Sequence, residues 1–245
     1  MCSLEKRGNV YILTLTGDHQ HRLNPTLLDA ISAALHCVKS ETIATSSSSA
    51  LITTSEGKFF SNGFDLDWSL SDLKRLKIMS LKLRSVIKDL LSLPMPTIAA
   101  ITGHASAAGA ILALSHDYVY MRKDRGFIYM SEVDIGLKMP DWFMTVLKCK
   151  IGSPAVWRDL VLKGRKMTAE VAVEKGVIEA ACENAEMTVE KAVELGEELV
   201  NRRWKGHVYA DNRMTVFGEL LKAVEFDEVV ENADLNRIRK NMARM

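Results

Sequence analysis

Residues 96–110 have the sequence PTIAAITGHASAAGA, in which an apolar run passes directly into small residues. Thr97–Ile101 is short and apolar and follows a proline, a pattern that predicts a buried strand. The small residues Gly103–Gly109 then lead into Ala110–Ser115, where the pattern predicts a helix. A strand followed by a tight turn and a helix is typical of α/β proteins.

The same alternation of strands and helices extends to both sides of this stretch. The other predicted strands are Val10–Thr16, Ala50–Thr54, Asp117–Arg122 and Phe127–Met130. Asn24 predicts the cap of a helix that begins at Pro25, and a long helix follows and ends at Pro94. Beyond Pro140 every pattern predicts helix, around residues 141–150, 154–162, 168–175, 186–203 and 210–240. The chain is therefore predicted to be an α/β protein with a sheet of parallel character and a helical C-terminal layer.

Composition excludes several classes of protein. The 245 residues include 32 basic and 31 acidic side chains, so the overall basic excess of most nucleic-acid-binding proteins is absent. The most apolar stretch, Ile98–Leu114, is shorter than the roughly 20 residues of a membrane span. The four cysteines are far apart, which favours a reducing compartment over a disulfide framework or a zinc site.

Two segments place glycine and small side chains between an apolar strand and a helix. The first is Lys58–Leu66, with the sequence KFFSNGFDL, and the second is the stretch 96–110. Backbone N–H groups at a helix start point outward and favour negative charge. Two such turns that converge would direct two N–H donors at one oxygen, forming an oxyanion hole. The spacing alone is equally satisfied by tight turns and close helix packing.

A third segment, Tyr129–Gly136, carries two carboxylates where a strand pattern gives way to a turn. Glu132 and Asp134 are two residues apart, so an extended chain would place both on one face. A carboxyl group among apolar neighbours has a raised pKa and suits work as a general base. The alternative is that both are solvated loop charges.

In their order along the chain, the motifs FSxGxDL, PTIAAIxGxAxxxG and SEVDIG resemble those of the enoyl-CoA hydratase/isomerase (crotonase) superfamily. The residues of Tyr129–Gly136, with Pro140, Trp142 and Phe143, are most similar to those of the plant peroxisomal Δ3,Δ2-enoyl-CoA isomerases. The resemblance implies a crotonase (ClpP/crotonase-like) α/β fold of repeated ββα units. It also implies an acyl-CoA-binding core of residues 1–190 and a helical region of residues 191–245 for closure and oligomerisation.

Carried onto this chain, the family's oxyanion hole consists of the backbone N–H groups of Phe64 and Ala108. The resemblance also implies that the Asn62–Leu66 backbone follows the CoA arm and that Arg22 lies near the CoA phosphates. The residues expected to bind substrate or CoA are thus Arg22, Leu23, Ser61, Asn62, Gly63, Phe64, Asp65 and Leu66. No metal or separate cofactor is expected, because coenzyme A is part of the substrate.

Hydratases of the family use two glutamates, and their positions correspond here to Ile111 and Glu132. Isoleucine cannot exchange a proton, so one carboxyl group remains where hydration requires two. One base is sufficient to move a double bond, which implies a Δ3,Δ2-enoyl-CoA isomerase with Glu132 as general base and acid. Alternatives are a hydratase or thioester hydrolase with a second acid, such as Asp134 or a C-terminal residue, or a non-catalytic acyl-CoA-binding subunit.

The resemblance further implies an oligomeric state and a cellular location. A homotrimer or homohexamer is expected. The last three residues, Ala243, Arg244 and Met245, resemble a relaxed form of the C-terminal tripeptide read by the peroxisomal import receptor. A peroxisomal location is therefore expected, with the cytoplasm as the alternative, and neither a membrane span nor a nucleic-acid partner is expected.

Overall fold

The computed structural model describes residues 1–225 apart from 70, 71 and 73. Its strands are β1 (Cys2–Arg7), β2 (Val10–Leu15), β3 (Ala50–Ser55), β4 (Phe59–Ser61), β5 (Thr97–Ile101), β6 (His104–Ser106), β7 (Tyr118–Arg122), β8 (Ile128–Tyr129) and β9 (Ala180–Cys182). Its helices are α1 (Pro25–Thr45), α2 (Leu66–Ser69), α3 (Lys74–Leu91), α4 (Ala108–Leu114), α5 (Asp141–Lys150), α6 (Pro154–Val161), α7 (Ala169–Glu174), α8 (Ala185–Asn201), α9 (Gly206–Val216) and α10 (Gly218–Glu225).

The strands form two sheets. The larger has the order β1-β2-β3-β5-β7-β9, in which only the edge pair β1–β2 is antiparallel. The smaller sheet, β4-β6-β8, is parallel. Three successive strands of the larger sheet, β3, β5 and β7, are each followed by a strand of the smaller sheet and then by helix. This is the repeated ββα unit that the family resemblance implies.

The larger sheet is covered on both faces. Neighbouring residues of a strand point to opposite faces of the sheet. On one face, Val10 and Ile12 of β2 pack towards Ala192 of α8. Tyr11 and Leu13, from the same strand, enter the main core. That core also receives the apolar sides of α1, α3, α4, α5 and α10. At the start of α1, the Asn24 side chain accepts from the Leu27 N–H at 3.0 Å, which confirms the predicted helix cap.

The structure also corrects several predictions. The polar N-terminus forms strand β1, whose side chains are mostly exposed and carry no apolar signal. β4 and β6 lie in the two glycine-containing segments between an apolar strand and a helix, where the sequence predicts no strand, and β9 interrupts the region predicted to be entirely helical. The predicted helix 210–240 is divided between α9 and α10 as far as residue 225, and the rest lies outside the described residues. The boundary predicted at residue 190 lies within α8, and the division into core and assembly region stays a prediction.

None of the described helices has the combination of length and apolar character that crossing a membrane requires.

Candidate active site

The segment that follows β4 positions the backbone of Phe64. Gly63 has a φ of +78°, in the left-handed region that glycine adopts without steric cost. The N–H of Leu23 donates to the carbonyl oxygen of Gly63 at 2.8 Å. Because a peptide group is planar and trans, its N–H points opposite to its C=O. The Leu23 hydrogen bond therefore directs the Phe64 N–H away from Leu23.

The Phe64 segment lies directly against the Ala108 segment. A Cβ atom added to Gly63 would lie 3.5 Å from the backbone nitrogen of Ala108. A Cβ atom added to Gly109 would lie only 2.4 Å from the carbonyl oxygen of Ser61. Glycine at position 109 is therefore needed for this approach of the two backbones. In the structure the two small-residue turns meet.

Ala108 is the first residue of α4, so its N–H has no acceptor within the helix. The preceding carbonyl, of Ala107, accepts from the Ile111 N–H at 3.0 Å, and the Ala107 N–H donates to the Tyr129 carbonyl at 2.9 Å. These two hydrogen bonds fix the backbone on both sides of the turn. Within the described residues, neither the Phe64 nor the Ala108 N–H donates to a protein acceptor. Two backbone N–H groups without a protein acceptor therefore lie on adjoining segments.

Glu132 lies in the turn that follows β8, and its side chain is buried, with 8% of the residue exposed. Its Oε2 atom has no hydrogen-bond partner among the described residues. Burial raises the pKa of the carboxyl group to about 7, while nearby backbone groups of Glu132 and Ser131 oppose the rise. The Ser131 hydroxyl lies 3.3 Å from that of Ser106 in β6, which ties the turn to the strand leading to Ala108. A carboxyl group with such a pKa can both accept and return a proton near neutral pH.

Asp134 does not share the environment of Glu132. Residues 132–136 form a turn rather than an extended chain, so the shared face that an extended chain would give the two carboxylates is not formed. Asp134 is exposed, and its carboxylate lies beside Gly164, where an added Cβ atom would be 2.9 Å from Oδ2. Ile111 is fully buried in the core. Of the two carboxylates in this segment, only Glu132 is buried.

Apolar and aromatic side chains lie beside the Phe64 segment. The Phe64 ring is 6.2 Å from the ring of Phe143 in α5, and Phe143 packs edge-on against Trp142 at 4.4 Å. Trp142, Phe143 and Met130 are all buried. Val133, next to Glu132 in the turn, is 48% exposed. The aromatic pair of α5 can therefore exclude water next to the Phe64 backbone.

Five of the eight residues predicted to bind CoA are partly accessible, among them Phe64 and Asp65. Arg22, Asn62 and Leu66 are each half-buried. The Arg22 side chain donates to Gln20 at 3.0 Å and pairs with Asp67 at 3.4 Å. The Asn62 side chain also donates to Gln20 at 3.0 Å. These contacts bring Arg22 and Asn62 to one side of the loop.

The side chains of Ser61 and Asp65 have hydrogen-bond partners within the protein, and that of Leu23 is buried. Ser61 is fully buried and donates to the carbonyl oxygen of His21 at 2.8 Å. Leu23 is fully buried and forms a backbone bridge with Phe64. Asp65 accepts from a backbone N–H at the start of α2, at 3.2 Å. Contacts from Ser61 or Leu23 to a ligand would therefore come from their backbones.

His21 is a buried residue that the sequence patterns do not single out. Only 1% of it is exposed, and its Nδ1 atom lies 2.9 Å from the carbonyl oxygen of Phe59, 38 residues further along the chain. The residues on either side of it are polar, so no periodicity marks it as buried. No cluster of three or more His, Cys, Asp or Glu that could hold a metal occurs within the described residues.

Comparisons with known proteins identify the family. The enoyl-CoA hydratase/isomerase family model matches residues 5–219. Enoyl-CoA delta isomerase 1, peroxisomal, of Arabidopsis thaliana is 56% identical over 221 residues, which cover 90% of this chain and 91% of that protein. Enoyl-CoA delta isomerase 2, peroxisomal, of the same species is 50% identical over 227 residues, covering 90% and 93%. The chain belongs to the enoyl-CoA hydratase/isomerase family.

A solved structure shows the fold. The probable enoyl-CoA hydratase EchA3 of Mycobacterium tuberculosis superimposes with a TM-score of 0.83 at 23% identity, over 99% of this chain and 96% of that one. The predicted crotonase fold, with its two sheets and C-terminal helices, is therefore confirmed. At this identity the likeness concerns the fold alone, so the reaction must be inferred from the site and from the more similar relatives.

Proposed function

We propose that this chain is a Δ3,Δ2-enoyl-CoA isomerase, which converts cis- or trans-3-enoyl-CoA to trans-2-enoyl-CoA in the β-oxidation of unsaturated fatty acids. The observation that carries the proposal is the buried carboxyl group of Glu132, together with Ile111 at the position of the first hydratase glutamate. The two Arabidopsis relatives bear the name enoyl-CoA delta isomerase, which supports the same reaction.

In the proposed reaction the thioester oxygen accepts hydrogen bonds from the Phe64 and Ala108 N–H groups. The Glu132 carboxylate removes a proton from C2, which is acidified by the thioester and by the adjacent double bond. The electron pair of the broken C–H bond moves into a dienolate, whose negative charge lies on the thioester oxygen. The protonated Glu132 then returns the proton at C4, and the double bond moves to C2–C3. Atoms and charge balance without any further reactant.

The two N–H groups lower the barrier because they interact most strongly with the charge that develops in the dienolate. Removal of one such donor in other enzymes costs about 2.7–4 kcal/mol of transition-state stabilisation. The buried surroundings of Glu132 act in the same direction, because a carboxylate with a raised pKa is a stronger base than an exposed one. The aromatic pair Trp142 and Phe143 would exclude water, which could otherwise exchange the proton in transit.

The proposed contacts to CoA come partly from side chains and partly from the backbone. Arg22 is proposed to face the CoA phosphates, which agrees with its half-buried position, since 26% of its side chain is exposed. The remaining proposed CoA contacts come from the stretch Ser61–Leu66 and from Leu23. No metal or cofactor takes part in the proposed steps.

Two substrates separate the proposed isomerase from a hydratase of the same fold. With a 3-enoyl-CoA, the proposal predicts growth of the absorbance of the conjugated thioester. With a trans-2-enoyl-CoA, it predicts no loss of that absorbance, because water addition needs a second acid. Rapid loss with the 2-enoyl-CoA would favour a hydratase, and release of free CoA thiol would favour a thioester hydrolase. Tight CoA binding without turnover would favour a binding subunit.

We further propose that the chain assembles as a homotrimer or homohexamer through its C-terminal helices. Trp204, just before α9, and Val208 and Val216 within it are 40%, 45% and 72% exposed. Together with Phe217 they line a groove of about 520 Å³. Apolar residues exposed together are typical of subunit contacts. Light scattering coupled to gel filtration would test the assembly, and a monomer at micromolar concentration would contradict it.

A peroxisomal location is proposed on the names of the two Arabidopsis relatives, both of which include the word peroxisomal. The tripeptide Ala243-Arg244-Met245, proposed as the contact with the import receptor, lies outside the described residues. A fluorescent protein fused ahead of the chain, with and without these three residues, would test the proposal. Equal cytoplasmic fluorescence from both would contradict it.

A further inference from the structure

His21 is a buried histidine that takes no part in the proton transfer proposed above. It lies on the loop before α1 and is 1% exposed. Its φ is +44°, in the left-handed region that residues other than glycine rarely adopt. Such a conformation persists where the surrounding contacts hold it. The contacts of His21 therefore indicate what the conformation serves.

His21 forms hydrogen bonds to both ends of strand β4. Its Nδ1 atom lies 2.9 Å from the carbonyl oxygen of Phe59, the first residue of β4. Because a carbonyl oxygen only accepts, Nδ1 carries the hydrogen in this contact. The backbone carbonyl of His21 accepts from the hydroxyl of Ser61, the last residue of β4, at 2.8 Å. The His21 N–H donates to the Asp18 side chain at 2.9 Å, which steadies the loop from behind.

The residues beside His21 continue this attachment into the Phe64 segment. The Asn62 N–H donates to the carbonyl oxygen of Gln20 at 2.8 Å, and the Leu23 N–H donates to that of Gly63 at 2.8 Å. The second of these bonds orients the Gly63–Phe64 peptide group, and with it the Phe64 N–H. His21 thus lies between the two backbone contacts that hold residues 62–64.

We propose that His21 is a positioning residue for the Phe64 N–H donor. Its ring and its left-handed backbone hold residues 20–23 against β4, so that the Leu23 N–H reaches the Gly63 carbonyl in the orientation that directs the Phe64 N–H at the substrate oxygen. This inference rests on the proposed function, since it concerns the same donor pair. It assigns His21 an effect on the charged intermediate rather than on substrate affinity.

Three variants test the proposal in the full-length protein. His21→Ala removes the Nδ1 contact and places a side chain that resists left-handed backbone at position 21. His21→Asn keeps the hydrogen bond to the Phe59 carbonyl and the left-handed backbone. Asparagine tolerates that backbone, and its Nδ2 atom occupies the place of Nδ1. His19→Ala is the matched control, because His19 is exposed on the same loop.

With a 3-enoyl-CoA substrate, we expect His21→Ala to lower kcat about 10-fold while KM changes less than about twofold. Loss of a donor costs roughly 10²–10³ in kcat, and a displaced donor should cost less. We expect His21→Asn to recover to within about threefold of the wild-type kcat, and His19→Ala to match the wild type. An unchanged kcat for folded His21→Ala, or equal losses in His21→Ala and His19→Ala, would overturn the inference.

Binding of two ligands separates positioning from a general structural role. Acetoacetyl-CoA forms an enolate whose charge resembles that of the dienolate, whereas butyryl-CoA remains neutral. We expect His21→Ala to weaken binding of the enolate about 10-fold and of butyryl-CoA less than about twofold. Equal weakening of both, or failure of both His21 variants to fold, would assign His21 to the fold alone and overturn the inference.

This binding test does not depend on turnover. A wild-type protein that binds both ligands but does not isomerise any 3-enoyl-CoA would refute the proposed function. The inference about His21 would then be tested by how His21→Ala changes the ratio of the affinities for the acetoacetyl-CoA enolate and butyryl-CoA.

Discussion

Replacement of Glu132 by glutamine should stabilise the protein at alkaline pH. The pKa of the Glu132 carboxyl is raised from 4.5 to about 7 by burial. Between these two values the folded protein holds a proton that the unfolded chain releases. Stability therefore falls as the pH rises through this window, and above pH 7 the full cost of a buried charge is present. Glutamine is neutral throughout and avoids this cost.

The size of the effect follows from the two pKa values. At about 1.36 kcal/mol per pH unit, the difference between 4.5 and about 7 corresponds to about 3 kcal/mol. The gain of Glu132→Gln over the wild type should therefore be near zero at pH 4.5 and rise to about 3 kcal/mol above pH 7. If the amide packs less well than the carboxyl group, the gain in unfolding free energy is lower by the same amount at every pH.

Urea unfolding at pH 5 and at pH 8 measures the difference. Asp134→Asn is the matched control, because it removes an exposed carboxylate two residues away. The free energy of unfolding of Glu132→Gln, relative to the wild type, should be larger at pH 8 than at pH 5, and that of Asp134→Asn should not. A Glu132→Gln gain that does not change with pH, or that Asp134→Asn reproduces, would refute the burial argument.

Three further predictions concern activity and packing. The kcat/KM for a 3-enoyl-CoA should rise with pH through about 7 as Glu132 loses its proton; a flat profile between pH 5.5 and 8.5, measured in a set of overlapping buffers, would contradict this role. Gly109→Ala should lower stability by about 1–3 kcal/mol and reduce kcat, because the added Cβ meets the Ser61 carbonyl; Gly152→Ala, with open space around its Cβ, is the urea-unfolding control. Asn24→Ala should cost about 1 kcal/mol of stability without a change in kcat, and a loss below about 0.3 kcal/mol would contradict the capping role.

The central strands of the larger sheet could be predicted because burial shapes their sequences. β2, β3, β5 and β7 carry apolar runs or alternation, and each was predicted within two residues of its observed ends. The edge strand β1 could not be predicted, because its side chains are mostly exposed. Strand β8 lies within the predicted strand Phe127–Met130, whereas β4 and β6, with three residues each, are too short to establish a period. Their pairing depends on the larger sheet that holds them.

The candidate site was predicted residue by residue only through the family's motifs. Spacing alone left the turns at Phe64 and Ala108 open to a purely structural interpretation, because the contact between them depends on pairing of β4 with β6. The sequence left open whether Glu132 and Asp134 share one face, as in an extended chain, or are solvated loop charges; the chain turns there, and only Glu132 is buried. The role proposed for His21 was missed because its burial depends on residues 38 positions away.

The kcat of Glu132→Gln with a 3-enoyl-CoA tests the central claim most directly, with folding and butyryl-CoA affinity measured on the same preparation. The account predicts a folded protein with nearly normal butyryl-CoA affinity and a kcat lower by at least about 10³, because the amide cannot accept the C2 proton. A folded variant that retains more than a tenth of the wild-type kcat would show that another group removes the proton, and would contradict the account.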